Sequence, residues 1–484
     1  MHGGDHMAAD NTAAVPLLPP PAKAAVAGEP RRNMFAFACA TLASMTTILM
    51  GYNLALMSGA QLFIREDLDL TDGQVEVLAG SINVFMLASI LAAGWAADVL
   101  GRRGTLVLAN VFLTAGALAM SLGASFPALM AARCVTSVGS GFSVVVSSVY
   151  NAEISPPSMR GFLSSFLDMF VSLGLLLSYV SNYAFAGLPV HLGWRVMYAA
   201  GVVPPVLLAA GVLAMPESPR WLAMRGRHAE ARAVLLRTSD TPAEADLRLQ
   251  EIIKQATVAK HDGGDAGNVW KELLVSPSAS VRRIVVCVVG IHLFQQASGI
   301  DAIVLYSPLV FKKAGISSNT TVLAATVGVG VVKMCFVLVA TLFSDRIGRR
   351  PLLLASTAGV AASMASLGAA LCFAGAASTA AVVTSVVAFM AAFSVGLGPV
   401  AGTYSAEVMP LRLRAQGASL GMAVNRLTCG VVSMTFISLA DAITMPGCFF
   451  LYAGVAAAAC VFVYVRLPET RGRSLENMDV LFAK

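Results

Sequence analysis

Twelve apolar runs of about 20 residues, each long enough to cross a bilayer as a helix, succeed one another along the 484-residue chain. Six occupy roughly 34–58, 75–97, 105–124, 127–150, 162–185 and 194–215. Six more occupy roughly 284–310, 321–343, 352–374, 379–405, 415–438 and 447–466. The pattern predicts an all-α membrane protein with twelve transmembrane helices in two bundles, 34–215 and 284–466. A polar stretch, 216–283, separates the bundles, and Ala229–Leu236 and Ala243–Lys260 within it carry helical periodicity, which predicts a linker with short surface helices. Residues 1–33 are rich in Ala and Pro without helical period and read as a disordered tail; 467–484 form a second tail. The first apolar run, at about 25 residues, exceeds the hydrophobic core of a signal peptide and is expected to stay in the membrane.

The charged residues between the runs repeat. Asp98-Val-Leu-Gly-Arg-Arg103 joins the second and third runs, and the same Asp-x-x-Gly-Arg-Arg spacing returns at Asp345 to Arg350, 247 positions on. Glu153 and Arg160 follow the fourth run, and Glu407 and Arg414 follow the tenth, at an offset of 254. Pro216-Glu-Ser-Pro-Arg220 follows the sixth run and Pro468-Glu-Thr-Arg471 the twelfth, at an offset of 252. An offset of six helices, an even number, gives both halves one orientation. That is a parallel repeat, with a binding site expected between the halves near the middle of the membrane. Asp98, Arg102, Arg103, Glu153, Arg160, Glu217, Arg220, Asp345, Arg349, Arg350, Glu407, Arg414 and Glu469 all fall at helix ends on one side. Arginine–carboxylate pairs there are expected to latch that side shut across the halves. One exposed pair contributes ~0–1 kcal/mol, but a set moves a two-state gate by a few.

Most Lys and Arg lie on the side of the Gly-Arg-Arg loops, while the other side holds Arg65 among Glu66, Asp67, Asp69 and Asp72, then Lys312 and Lys313. The positive-inside bias puts both termini and the linker in the cytoplasm. Only 12% of residues are charged and 57% are hydrophobic, against about a quarter charged in soluble domains. Topology accounts for the formal charge of +6, which leaves no case for nucleic acid. The eight cysteines sit in apolar runs without metal-ligand spacing. No Ser/His/Asp set, metal cluster or nucleotide loop is present, so neither an enzyme nor a bound cofactor is expected.

The paired Gly-Arg-Arg loops, Pro216-Glu-Ser-Pro-Arg220, Pro468-Glu-Thr-Arg471 and Gln295-Gln-Ala-Ser-Gly299 resemble those of the sugar porters of the major facilitator superfamily. The stretches Gln295 to Tyr306 and Leu411 to Arg426 look closest to plant polyol/monosaccharide transporters. The resemblance runs from about residue 35 to 480. It implies an alternating-access carrier of a neutral monosaccharide or polyol, driven in many members by a proton gradient. It places Gln295, Gln296 and Asp301 on the seventh helix, Asp168 on the fifth and Asn425 on the eleventh as substrate ligands. Amides suit hydroxyls because they both donate and accept, and an ionisable group inside the membrane is a functional candidate. Lys333, Arg426 and His292 are possible partners for these groups, with His292 expected to be a packed side chain. A monomer is expected, in the plasma membrane, with the vacuolar membrane as the alternative.

Two positions depart from the pattern of such porters. Gly51-Tyr52-Asn53 has Asn where proton-coupled members carry the Asp that faces an Arg, here Arg133. Asn cannot release a proton, which argues for facilitative uniport. Gly398-Pro-Val-Ala-Gly402 has Gly where a Trp usually packs against sugar, which predicts altered or weaker binding. A non-transporting sugar sensor is the remaining alternative, but only about 18 residues follow the last helix, short for a signalling tail.

Overall fold

Asn33 opens the first helix: its side-chain oxygen accepts from the Ala36 amide, satisfying one of the free N–H groups of a helix start. Its amide nitrogen reaches the carbonyls of Arg237 and Ser239 in the linker. The computed structural model that contains this contact describes residues 33–156, 160–261, 273, 275–373, 376–409 and 413–470. The two predicted tails lie outside them apart from Asn33 and 467–470. The first half comprises α1 (Met34–Asp67), α2 (Asp72–Leu100), α3 (Arg102–Leu122), α4 (Phe126–Ile154), α5 (Arg160–Phe185), α6 (Val190–Ala200) and α7 (Val203–Ala214). The linker contributes α8 (Pro219–Met224), α9 (His228–Thr238) and α10 (Pro242–His261). The second half comprises α11 (Ala279–Ala297), α12 (Ile300–Lys313), α13 (Asn319–Ile347), α14 (Arg349–Leu371), α15 (Ala376–Val395), α16 (Leu397–Val408), α17 (Arg414–Ile443) and α18 (Met445–Arg466).

These helices make twelve spans long and apolar enough to cross a membrane. Nine are single helices. Three are broken, α6/α7, α11/α12 and α15/α16, where the apolar pattern predicts one helix each. The causes are in the backbone. Gly299 takes φ +88° and starts α12 in a new direction. Gly396 leaves the helical region at φ −137°, ψ −72°, and the Leu397 amide turns to the Ser356 hydroxyl. Past Gly201 come Pro204 and Pro205, which have no N–H to continue the ladder. At the other extreme α1 runs 34 residues, about 51 Å at the helical rise, and overshoots the apolar run. Two ion pairs, Arg65–Asp72 at 2.8 Å and Arg195–Asp67 at 2.6 Å, hold its projecting end.

Within the first half α1 packs on α5, and α4 on both α2 and α3; within the second, α14 packs on α15 and α18, and α11 on α17. Two broad contacts join the halves, α2 with α17 and α5 with α13. They are one interface made twice, because α2 and α5 hold the places in the first half that α13 and α17 hold in the second. The linker helices rest on the first half: Trp221 and Arg225 donate to the Asp98 carbonyl, and Arg248 to the carbonyls of Glu153 and Ser155.

Candidate functional site

The repeated loop motif builds the same small structure twice. Gly101 and Gly348 take φ +84° and +106°, open to glycine and strained for other residues. Each turn brings the next helix's first amides onto a carboxylate. Glu217 accepts from the amides of Arg102 (2.9 Å) and Arg103 (3.1 Å); Glu469 accepts from those of Arg349 (3.1 Å) and Arg350 (3.0 Å). An anion at a helix N-terminus satisfies free N–H groups and complements the dipole. A Cβ at Gly348 would lie 3.0 Å from Glu469 Oε2, and one at Gly101 would overlap Glu217. The arginine side chains then reach the fourth and tenth spans: Arg102 pairs with Glu153 at 3.0 Å and Arg349 with Glu407 at 2.8 Å. Ser218 and Thr470 donate to those same two glutamates. Asp98 adds a 3.0 Å pair to Arg102. Arg103 and Arg350 donate to the carbonyls of Met215 and Tyr464.

The expected latch across the halves is not what these contacts form. Each contact described for these residues stays within its own half, because the carboxylates are held by helix starts and arginines of the same repeat. Arg220 is exposed. The side chains of Arg160, Asp345 and Arg414 lie outside the described residues.

A cavity of about 170 Å³ lies between the halves and reaches α1, α5, α11, α12, α13, α15, α16 and α17. Asp168, Gln295, Gln296 and Asp301 all line it. The two breaks aim them. Gln295, just before the α11/α12 break, donates to the carbonyls of Leu397 (3.0 Å) and Gly398 (2.8 Å), the first two residues of α16 past the α15/α16 break. Asn425 stands behind: it donates to Gln295 at 2.7 Å, accepts from Gln296 at 3.1 Å, and accepts from Arg426 at 2.6 Å. These amides form a network whose donors and acceptors can be exchanged for hydroxyls. Asp301 sits in the first turn of α12, where the helix dipole favours a carboxylate, and its Oδ2 has no hydrogen-bond partner among the described residues. Asp168 is open to the cavity. Among the described residues no group of three or more His, Cys, Asp or Glu could hold a metal.

Lys333 and Arg426 also line the cavity, whereas Asn53, Arg133, His292 and Gly402 are not among its lining residues. Asn53 is buried; its side chain donates to Leu49 of its own helix, and its carbonyl accepts from Arg133 at 3.3 Å. Arg133 is buried, and its Nε and one terminal nitrogen have no partner among the described residues. His292 packs against Gly421 and meets the Ser405 hydroxyl at 3.2 Å. Gly402 lies one turn beyond Gly398, exposed, with nothing within 4 Å of a built Cβ.

Away from the Gly-Arg-Arg loops the halves are sealed. Gln61 donates to the Leu305 carbonyl at 2.7 Å, and Tyr179 to the Val304 carbonyl at 2.8 Å. The buried Glu76 accepts from the Ser438 amide at 2.9 Å and from its hydroxyl. Arg426 reaches Asn83 at 3.4 Å near mid-helix. Among the described residues no hydrogen bond or ion pair between the halves is seen on the loop side. None of these sealing residues belongs to a repeated motif, which is why sequence reading names Arg426 alone among them. Phe393 and Ser394 in the cavity wall were likewise missed, and their one signal is the nearby Gly396.

The profile of the family described as "Sugar (and other) transporter" matches residues 39–482. Polyol transporter 5 of Arabidopsis thaliana is 48% identical, over 96% of this chain and 90% of its own length. Glucose transporter GlcP of Staphylococcus epidermidis is 32% identical, over 90% and 95%. Among solved structures, the proton:xylose symporter XylE bound to 6-bromo-6-deoxy-D-glucose superposes with a TM-score of 0.76 at 26% identity, over 93% of this chain and 99% of that one.

Proposed function

The chain belongs to the sugar transporters of the major facilitator superfamily, close to the plant polyol transporters, and from that premise we propose that it carries a neutral polyol or monosaccharide in the cavity between its halves. It is an integral membrane protein and an alternating-access carrier, not an enzyme. Gln295, Gln296, Asp301 and Asp168 hold the substrate's hydroxyls, with Asn425 positioning both glutamines. The halves 34–215 and 284–466 rock as two bodies around them, with 216–283 as the cytoplasmic linker. The observation that carries the reading is the amide network: a polyhydroxyl ligand can take over its hydrogen bonds one for one. The polyol side of the reading rests on the 48% identity to Polyol transporter 5.

The excess of arginines on the loop side supports a cytoplasmic position for that face and both termini. In that orientation the described seal lies on the outer face, which supports an inward-facing reading of the cavity. The carrier works as a monomer in the plasma membrane and has no nucleic-acid partner. Asn53 carries no proton, and Arg133 has no carboxylate facing it among the described residues, so that pair does not couple transport to a proton gradient. The test is uptake of labelled hexoses, pentoses and linear polyols by a transport-null cell, with and without an uncoupler. At least one polyol or monosaccharide is expected to enter, and entry of none while the protein reaches the membrane overturns the proposal. Asn53→Asp supplies the missing carboxylate and is expected to make uptake more sensitive to the uncoupler.

A further inference from the structure

Four charged side chains line a cavity proposed above for a neutral ligand. Asp168 comes from α5 in the first half, while Asp301 on α12, Lys333 on α13 and Arg426 on α17 come from the second. Lys333 and both carboxylates line the same cavity. Among the described residues neither Asp168 nor Lys333 makes a hydrogen bond or ion pair. The two line one cavity without an ion pair between them. We propose that Asp168, opposed by Lys333 across the boundary between the halves, is a proton-binding site through which this carrier moves a proton together with its polyhydroxyl substrate.

The helices that carry the pair cross where Gly330 meets Leu176 and Tyr179; a Cβ at Gly330 would lie 3.1 Å from Leu176 Cδ1. Lys333 is three residues from that crossing and Asp168 eight, both toward the loop side. In this proposal, closure of that side draws together the stretches of α5 and α13 that carry Asp168 and Lys333, and expels water. An isolated charge in such a closed space is costly, and a pair is tolerated. With all four groups ionised the cavity is neutral overall, two carboxylates against two cations, and Asp168 can pair with Lys333 so that the empty carrier closes. When hydronium gives its proton to an Asp168 carboxylate oxygen, the cavity holds one excess positive charge and Lys333 loses that partner. Closure then needs a ligand whose hydroxyls solvate Lys333 and accept from the new carboxyl O–H. On the other side the carboxyl returns the proton to water, and no other bond changes.

The elements packed on α5 leave Asp168 no other charged partner. From α1 the cavity wall is Met50, Gly51 and Leu54, and the Tyr52 hydroxyl turns away to Ser181. Arg133 of α4 is held at the Asn53 carbonyl, and Arg195 of α6 at Asp67. Across the cavity α11 contributes only the neutral Gln295 and Gln296.

The coupling role rests on the transport reading above, but the proton site is testable without a substrate. Infrared difference spectra of the full chain in nanodiscs, recorded through a pH titration, are expected to show a carboxyl C=O band that appears on acidification. Asp168→Asn is expected to abolish it and Asp301→Asn to leave it. Lys333→Met is expected to displace its midpoint, because a cation in the same cavity favours the ionised carboxylate. A titrating band that survives Asp168→Asn, or its absence from the wild type, overturns the proposal. For any sugar or polyol found to be transported, affinity is expected to vary with pH in the wild type and to lose that dependence in Asp168→Asn, whatever its absolute value; equal pH dependence in both removes the coupling. Failure of the whole uptake panel overturns the transport reading alone, and the infrared titration still judges the site.

Discussion

At the residue scale, one motif contains contacts of unequal weight. Arg102 and Glu153 each have side chains only 8% exposed, whereas Asp98 is 63% exposed. Removing one partner of a buried pair strands the other, at about 3–5 kcal/mol; an exposed pair contributes ~0–1 kcal/mol. Arg102→Ala is therefore expected to lower the thermal unfolding temperature of the purified protein well below that of Asp98→Asn, which should stay near wild type. Equal shifts would mean that the buried pair contributes no more than the exposed one. Gly402 gives a second prediction. The open space beside it, on the helix face of Gly398 and Pro399, has room for a large ring. Gly402→Trp is expected to fold normally and to tighten sugar binding, read by titration against the transported sugar or polyol. An unchanged affinity would remove α16 from the site.

At the scale of elements, apolar run length was enough to read twelve spans, because lipid leaves a backbone few alternatives to a closed helix. It could not reveal the three breaks. A run of apolar residues looks the same whether its amides bond within the helix or turn aside, as at Leu397. Gln295, Gln296 and Asp301 were legible as candidate ligands from the resemblance of their stretch. That Gln295 bonds the first carbonyls of α16 past the next break, and that Asp301 heads a new helix, required the fold. Gly299 is the residue on which this arrangement turns. Its φ of +88° is unfavourable for an L side chain, and a Cβ would come within 2.9 Å of the Tyr452 ring. Gly299→Ala is expected to cost ~1–2 kcal/mol in backbone strain alone. Its effect on substrate affinity should exceed its effect on unfolding, since the break sets the angle between the glutamines and Asp301. Comparable losses in both assays would make the break a packing feature only.

At the scale of the whole molecule, the charged clusters that dominate the sequence brace each half, while the contacts that close one face of the carrier are scattered uncharged donors and one buried glutamate. Each cluster ties helix ends of one repeat together, so each half can move as a unit. The balance between the two open states then falls to the opposite seal: Gln61 on Leu305, Tyr179 on Val304, and Glu76 on Ser438. A neutral hydrogen bond contributes about 1 kcal/mol net, which is about fivefold in a two-state population; bonds to a charged acceptor contribute more. Tyr179→Phe removes one such bond with little change of shape. Glu76→Gln removes the charge that Ser438 faces. Each is expected to raise the population open at the sealed face, and the double variant more than either. Spin labels at Glu66→Cys and Ser317→Cys, both exposed near that face, report it, with the exposed Cys134, Cys335 and Cys372 replaced by alanine. The label–label distance should lengthen in the order wild type, single variants, double variant. A distribution that does not move would show that helix packing between α2 and α17 and between α5 and α13 keeps the face shut without these bonds. Gly330→Leu would then be the decisive wedge, because it forces Leu176 and Tyr179 away from α13.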